Sequence, residues 1–181
     1  MRILILGQPR TGKTILSTRL KEHYGIPVMH TDRYRREWGY HCPWKGYSTE
    51  IPFEKQNAFY QQLQGLYMSY EDIILEGSAI YPDDRDLFPH DSAVLLFRDV
   101  SSDQMLKDVR KYDDKDSWTS KRDDSYLLTP FSDYLRYSEE WVRKCKTSHP
   151  ELCINTTDFQ NGIDTAFQKI CDDIDNADRE G

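Results

Sequence analysis

Five short apolar runs are spaced along the chain, and polar residues are scarce within them. They cover residues 3–6, 26–30, 73–75, 94–97 and 152–154. Runs of this length and composition are typical of strands buried on both faces of a sheet. The longer segments between them carry apolar residues at every third or fourth position, which predicts helices. This alternation indicates a single α/β domain over residues 1–181, with a mainly parallel sheet covered on both faces.

Several residues indicate where the predicted helices begin and end. The first helix ends at Gly25, and a short polar helix is expected to begin at Arg33, just after the second strand. Thr129-Pro130 predicts the start of another helix, since a capping threonine followed by proline suits a first turn. Lys, Arg and Asp dominate residues 110–124, and we expect a mobile surface flap there.

Residues 7–14 form the motif around which the chain is organised. They read Gly7-Gln8-Pro9-Arg10-Thr11-Gly12-Lys13-Thr14 and match the phosphate-binding loop G-x-x-x-x-G-K-[ST] at every fixed position. A buried strand precedes the motif and a helix follows it, which is the context it requires. Backbone N–H groups of the loop and the positive end of the helix would face a phosphate. Lys13 would bind the outer phosphates, and the Thr14 hydroxyl would ligate Mg²⁺.

The alternative for this segment is a chance match on a tight turn between a strand and a helix. The quality of the flanking strand and helix makes us favour the functional interpretation. The sequence therefore predicts that the chain binds a nucleoside triphosphate through residues 7–14, with ATP and Mg²⁺ as the expected cofactors.

Two carboxylates follow predicted strands, at the edge where parallel sheets collect ligand contacts. Asp32 is either a general base that accepts the proton of an attacking hydroxyl, or the N-cap of the helix expected from Arg33. The position of Asp32 in the pattern favours neither. Glu76 is a candidate for holding Mg²⁺ through water or for binding a substrate hydroxyl. The alternative for Glu76 is a solvent-exposed residue at the end of a strand.

The charged flap at residues 110–124 also bears on the reaction. Mobile cations that close over a migrating phosphoryl group stabilise its charge and exclude water. The candidates are Arg110, Lys111, Lys115, Lys121 and Arg122. We favour Arg110 as a catalytic residue that contacts the phosphates of ATP, because a rigid helix end can aim it. The alternative is a solvated surface, which the interleaved aspartates suit.

Composition and charge narrow the function classes. The 181 residues carry a formal net charge of −7, which disfavours a protein that coats nucleic acid. No apolar run in the sequence reaches the length of a membrane span. The four cysteines are widely separated and form no C-x-x-C pair, which argues against a zinc site and a disulfide framework. With the first strand starting at residue 3, we expect no targeting segment and a cytoplasmic location.

The motif and the order of elements resemble the small P-loop kinases of the adenylate kinase-like group. The resemblance spans the whole chain in element order and implies a three-layer sandwich with a five-stranded sheet in the order 2-3-1-4-5. It also implies a mobile lid at about residues 110–124. Asn155 and Thr156 match the loop where these kinases seat the adenine ring. The D-x-D motif of shikimate kinase is absent, since His30 occupies its first position.

A local resemblance concerns residues Asp32-Arg33-Tyr34-Arg35, which are similar to the D-D-Y-R segment of polynucleotide kinases. It implies that Asp32 is the general base and that Arg35 binds the phosphate of the substrate. The N-cap interpretation of Asp32 then becomes the weaker one. Adenylate kinases carry a longer substrate-binding section with its own pattern of arginines, which this sequence lacks.

The acceptor is expected between the end of the second strand and the long helix that follows, within about residues 32–70. Aromatic residues are dense there and suit stacking on a base or sugar, while filling a loop-rich core is the alternative. They are Tyr34, Trp38, Tyr40, Trp44 and Tyr47. The arginines that favour an anionic or nucleoside-like acceptor are Arg33, Arg35, Arg36 and Arg85.

The sequence therefore predicts a kinase that transfers the γ-phosphate of ATP to a small nucleoside, nucleotide or similar metabolite. Its expected substrate contacts are Tyr34, Arg35, Glu76 and Arg85. One alternative is a 5′-hydroxyl polynucleotide kinase that acts on short oligonucleotides, which residues 32–35 support and the net charge opposes. The other is a regulatory nucleotide-binding module that hydrolyses ATP slowly. The sequence makes no prediction of the oligomeric state.

Overall fold

The computed structural model describes residues 1–37, 53–80, 82–112 and 119–180. Within them, five strands form one sheet: β1 (Arg2–Gly7), β2 (Val28–His30), β3 (Ile73–Gly77), β4 (Ser92–Phe97) and β5 (Cys153–Asn155). The helices are α1 (Lys13–Tyr24), α2 (Thr31–Glu37), α3 (Phe53–Met68), α4 (Ser102–Tyr112), α5 (Asp124–Ser148) and α6 (Phe159–Glu180). Short 3₁₀ helices occupy Pro82–Leu87 and Pro150–Leu152. None of the described helices is both long and apolar enough to cross a membrane.

The sheet has the order β2-β3-β1-β4-β5, and every neighbouring pair of strands is parallel. The sheet order predicted from the sequence is therefore confirmed. The chain leaves β1 towards one side and returns to its other side at β4. In open parallel sheets, ligands bind beyond the carboxyl ends of the strands where the winding reverses in this way. The segments that follow β1, β2 and β3 meet at that edge.

Both faces of the sheet are covered, because alternate residues of β1 enter different cores. Leu4 and Leu6 pack with the apolar face of α3, whereas Ile3 and Ile5 pack with α1 and α6. All four side chains are buried. A strand that is apolar at every position fits only between two helical layers. This arrangement confirms the predicted three-layer α/β sandwich.

Two element boundaries near the predicted site differ from the expectation. β2 begins at Val28, not at residue 26. Pro27 has no N–H to donate to the neighbouring strand, and only its carbonyl oxygen takes part, accepting from Ile74 N–H at 2.9 Å. Helix α2 begins at Thr31, directly after β2, so Asp32 lies inside its first turn. The N-cap alternative for Asp32 is therefore wrong, because the helix begins before that residue.

Helix α5 begins at Asp124, five residues before the predicted start at Thr129-Pro130, and that prediction is wrong. The physical reason is Asp123, whose Oδ1 accepts hydrogen bonds from the Ser125 hydroxyl and the Tyr126 N–H, both at 2.7 Å. These bonds cap the helix and lower the pKa of the Asp123 carboxyl, the Ser125 hydroxyl contributing most. Pro130 consequently lies in the interior of α5.

We predict that Gly77→Ala destabilises the fold, because Gly77 at the end of β3 has φ +149° and no room for a side chain. A Cβ atom there would lie 1.8 Å from the Thr31 Oγ1 atom. The free energy of unfolding in urea should fall by about 3 kcal/mol, from backbone strain and overpacking together. The control is Gly65→Ala in α3, where a Cβ atom meets nothing within 4 Å. That change should stabilise the protein by about 0.5–1 kcal/mol. Equal effects of the two changes would contradict the prediction.

Candidate active site

The phosphate loop lies between β1 and α1, as its strand and helix context predicted. Gly7 has φ +144°, and a Cβ atom on it would lie 2.2 Å from the Leu96 carbonyl oxygen of β4. Only glycine allows the loop to start this close to the neighbouring strand. Arg10 has φ +63°, and Gly12 directly precedes α1 with φ +91°. The loop therefore passes through three positions of positive φ before the helix begins.

Gln8 attaches the loop to the end of β4. Its N–H donates to the Leu96 carbonyl oxygen at 3.2 Å, and its side-chain Oε1 accepts from Arg98 N–H at 3.0 Å. The Gln8 carbonyl oxygen accepts from the Thr11 hydroxyl at 2.7 Å and from the Lys13 ammonium at 2.6 Å. Gln8 and Thr11 are both buried, whereas Pro9 is half-buried. These bonds fix the curvature of the loop, and the sequence motif gave no sign of the contact with Arg98.

Lys13 is buried, although its side chain carries a charge. Burial lowers the pKa of the Lys13 ammonium, because the charged form loses its hydration, while the negative charges of Asp32 and Glu76 act in the opposite direction. This electrostatic coupling shows that both predicted carboxylates lie close enough to act on the loop lysine. A bound phosphate would add negative charge next to the ammonium and favour its protonated form.

Glu76 joins the loop to β2 through a single carboxylate oxygen. Its Oε1 accepts from the Thr14 hydroxyl at 3.3 Å and lies 2.5 Å from His30 Nδ1. Parallel pairing of β2 with β3 places His30 opposite Glu76 in the sheet. Glu76 is only 5% exposed, so its interpretation as a solvent-exposed strand end is wrong. Sequence reasoning missed the role of His30, which follows from strand register.

Asp32 lies on the solvent side of the same edge. Its Oδ1 accepts from the Ser78 hydroxyl at 3.1 Å, and the residue is exposed. The close approach of Gly77 to Thr31 brings the segment after β3 against the start of α2, which explains this contact. No role for Ser78 was predicted from the sequence, although its place directly after β3 is a usable signal. The structure thus brings Lys13, Asp32 and Glu76 together as predicted.

The Thr14 hydroxyl and the Glu76 carboxylate suit Mg²⁺, which prefers hard oxygen ligands. In the described part of the chain, no group of three or more His, Cys, Asp or Glu residues could hold a metal ion. Mg²⁺ in phosphoryl-transfer sites is commonly bound by one or two side chains, with water and substrate phosphates as its other ligands. The pair therefore fits the expected ion.

Comparison with solved structures assigns the fold. The chain is similar to a gluconokinase from Sinorhizobium meliloti 1021, with a TM-score of 0.63 and 14% identity, over 99% of this chain and 97% of that one. It is similar to a shikimate kinase from Bacteroides thetaiotaomicron, with a TM-score of 0.55 and 16% identity, over 97% of this chain and 98% of that one. The fold is that of the small P-loop kinases. No family model and no curated protein matches the sequence.

In this P-loop kinase fold, Arg110, which was predicted to contact the phosphates of ATP, bonds to the segment between α4 and α5. Its Nε donates to Asp124 Oδ1 at 2.7 Å, Nη1 to the Thr119 carbonyl oxygen at 3.1 Å and Nη2 to the Arg122 carbonyl oxygen at 2.5 Å. The guanidinium thus ties the end of α4 to the start of α5. Residues 119–123 form a turn between them, which we call the connecting turn. A contact of Arg110 with phosphate stays a prediction.

The two predicted nucleotide contacts in the loop after β5 differ in burial. Thr156 is fully buried, and its N–H and hydroxyl both bond to the Phe97 carbonyl oxygen, at 2.8 and 3.2 Å. Its side chain therefore holds the loop to β4 and has no surface for a base. Asn155 is exposed, and its Oδ1 accepts from Thr157 N–H at 2.9 Å. A role for Asn155 near the adenine stays a prediction.

The predicted acceptor contacts are only partly described. Tyr34 is half-buried and packs against the core on the α3 side of the sheet, which agrees with the core-filling interpretation. Arg85 lies in the 3₁₀ helix after β3, and its Nε donates to Asp86 Oδ1 at 3.1 Å. The side chain of Arg35, and the aromatic residues predicted to stack, lie outside the described residues, as does Trp118 of the flap. The aromatic residues concerned are Trp38, Tyr40, Trp44 and Tyr47.

We predict that Lys13→Met severely reduces phosphoryl transfer while the protein stays folded. Methionine keeps the apolar stem that fills the buried site but removes the ammonium that would bind the outer phosphates. Turnover should fall by about a hundredfold or more, which is the scale for removing one preorganised donor from a developing charge. ADP formation and calorimetric binding of ATP measure the effect. The control is Lys21→Met at the exposed end of α1. Near-normal turnover of the Lys13 variant would contradict the assignment of the loop.

Proposed function

We propose that the chain is an ATP-dependent kinase that transfers the γ-phosphate to a small metabolite. The observation that carries this proposal is the edge where Lys13, the Thr14–Glu76 pair and the exposed Asp32 meet. A phosphate-binding cation, an oxygen pair for Mg²⁺ and a separate carboxylate are the parts that phosphoryl transfer needs. The names gluconokinase and shikimate kinase of two structures with the same fold support a small acceptor.

Each group has a separate task in the proposed reaction. The loop N–H groups and Lys13 bind and orient the phosphates of ATP, and the start of α1 adds its positive end. Bound Mg²⁺ would neutralise charge on the β- and γ-phosphates. Asp32 accepts the proton of the attacking hydroxyl as the new phosphorus–oxygen bond forms and the bond to ADP breaks. The protein forms no covalent bond in this reaction, so positioning of the reactants and stabilisation of the developing charge account for most of the catalysis.

Burial separates the roles of the two carboxylates. Glu76 is 5% exposed, and its Oε1 already contacts Thr14 and His30, so it lies on the side of the phosphate loop. Asp32 is exposed in the first turn of α2, where an acceptor arriving from solvent can reach it. We therefore assign Asp32 as the general base and Glu76 as the residue that holds Mg²⁺. This assignment gives the buried carboxylate to the metal and the exposed carboxylate to the acceptor.

An anionic acceptor fits the surroundings of Arg85. Its side chain is 16% exposed, and its Nη1 is buried without a hydrogen-bond partner in the described structure. A buried guanidinium nitrogen without an acceptor is unfavourable, and a carboxylate or phosphate would satisfy it. We therefore propose an acceptor that carries a hydroxyl for phosphorylation and an anionic group, a class that includes sugar acids and nucleotides.

A panel of acceptors tests the proposed function and its alternatives. Sugar acids, neutral sugars, nucleosides, nucleotides and short oligonucleotides are each added to enzyme with Mg²⁺ and ATP, and ADP formation is measured. Stimulation by small anionic compounds supports the proposal. Salt-sensitive stimulation by oligonucleotides alone favours a 5′-hydroxyl polynucleotide kinase. Slow ATP hydrolysis that no acceptor changes favours a regulatory module.

We predict that Asp32→Asn lowers turnover by about a hundredfold or more, the usual scale for lost acid–base catalysis. Asparagine keeps an oxygen that can accept from Ser78, so the melting temperature and the affinity for ATP should change little. The matched control is Asp103→Asn, since Asp103 is also exposed in the first turn of a helix. Turnover close to that of the unmodified enzyme would exclude Asp32 as the base.

We predict that Glu76→Gln raises the Mg²⁺ concentration needed for half-maximal activity by about tenfold or more. Glutamine keeps a carbonyl oxygen for Thr14 and His30 but removes the negative charge that attracts the ion. Titration of activity with Mg²⁺ at saturating ATP measures the effect, with Asp32→Asn as the comparison, which should leave the Mg²⁺ dependence unchanged. If turnover falls while the Mg²⁺ dependence stays the same, the two carboxylates have the opposite roles.

A further inference from the structure

Thr119, in the connecting turn, contacts the phosphate loop from a distant part of the chain. Its Oγ1 accepts a hydrogen bond from Arg10 Nη2 at 3.1 Å, although the two residues are 109 positions apart. Thr119 is only 1% exposed, so this hydroxyl is a buried polar group that bonds to a charged donor. Hydrogen bonds with an ionised partner are the stronger ones in proteins. The contact therefore fixes the turn against the loop.

The backbone of Arg10 is adapted to this contact. Among the described residues other than glycine, Arg10 is the one with a positive φ, at +63°. The left-handed conformation is unfavourable for a residue with a Cβ atom, and such strain often lies at functional sites. Arg10 itself is exposed, so burial of its own side chain does not explain the conformation. The guanidinium of this strained residue is the group that donates to Thr119.

A second arginine holds the same turn from the opposite side. Arg110 Nη1 donates to the Thr119 carbonyl oxygen, while its other nitrogens bond to Arg122 and Asp124. Arg122 N–H also donates to the Thr119 carbonyl oxygen at 3.3 Å, which closes the turn. Thr119 thus connects Arg10 through its hydroxyl and Arg110 through its carbonyl oxygen. Displacing Thr119 would disturb both arginines.

We propose that Thr119 is a positioning residue that locks the connecting turn onto the phosphate loop, so that Arg10 and Arg110 respond together when a triphosphate binds. The effect on ATP rests on the proposed kinase function, whereas the lock itself exists without nucleotide. Binding of phosphate orders the loop, and the Arg10–Thr119 bond passes that order to the turn and to the end of α4. Hydrogen bonds of this kind can carry energetic coupling between two segments.

The first experiment tests the lock without nucleotide. Thr119→Val keeps the size and branching of the side chain but removes the hydroxyl. Thr119→Ser keeps the hydroxyl but removes the methyl group. Limited trypsin digestion with mass spectrometry follows cleavage after Lys121 and Arg122, which are exposed in the turn. The valine variant should be cut there at least about fivefold faster than the unmodified protein, while the serine variant is not, because opening free energy governs cleavage. Melting temperatures show that both variants are folded.

The second experiment is a double-mutant cycle in which the dissociation constant for ATP is measured. Thr119→Val and Arg10→Gln should each raise the dissociation constant for ATP, the valine change by about tenfold, as expected for the loss of a hydrogen bond to a charged group. The dissociation constant of the double variant for ATP should not exceed the higher of the two single-variant values, because both changes remove the same bond. Since Arg10 is exposed, Arg10→Gln tests the contact even if Thr119→Val is poorly folded.

Three results would overturn the proposal. Equal cleavage of the valine variant and the unmodified protein would show that the hydroxyl does not hold the turn. A serine variant as readily cleaved as the valine variant would assign the role to packing of the methyl group. Additive losses of ATP affinity would show that Arg10 and Thr119 act independently. If the unmodified protein binds no ATP, the proposed function fails, and the digestion still decides whether the lock exists.

Discussion

The close packing of backbone at the carboxyl ends of β1 and β3 is the constraint on which the candidate site depends. Gly7 lies against the Leu96 carbonyl of β4, and Gly77 lies against Thr31 at the start of α2. A side chain at Gly7 would push the start of the phosphate loop away from β4, and one at Gly77 would push the end of β3 away from the start of α2, which carries Asp32. Hydrophobic burial holds the sheet together, and these two contacts allow functional groups on separate strands to come within interaction distance.

Charge balance at this edge gives a physical reason for the expected metal ion. Lys13 is buried within the electrostatic influence of Asp32 and Glu76, so two carboxylates oppose one ammonium. A triphosphate would bring further negative charge to these three side chains, whose net charge is already negative. A divalent cation between Glu76 and the phosphates removes that repulsion, and the Thr14 hydroxyl beside Glu76 supplies an oxygen ligand. The site is thus suited to a metal–nucleotide complex.

The sequence predicted the features that depend on local pattern. Apolar runs and the glycine-lysine-threonine ending of the loop sufficed for the alternation of strands and helices and for the position of Lys13. The order of the strands in the sheet was implied by the resemblance to the small P-loop kinases. The start of α5 was not predicted, because two residues there can cap a helix. Asp123 is the one that caps it. Leu127, which precedes Thr129, and Phe131 are both buried against α4, so the helix already includes Thr129. Contacts such as His30–Glu76 and Arg10–Thr119 join residues far apart in the chain, so no local pattern reveals them.

The variable positions of the phosphate loop attach it to the rest of this protein. The fixed residues of the motif face the phosphates by chemistry that any such loop shares. In contrast, Gln8 bonds to the end of β4, Thr11 closes the loop on the Gln8 carbonyl, and Arg10 reaches the turn before α5. Motion of the loop on binding a ligand would therefore pass to β4 through Gln8 and to α4 and α5 through Arg10. Since the motif leaves these positions open, the residue types found there determine which elements the loop contacts in this chain.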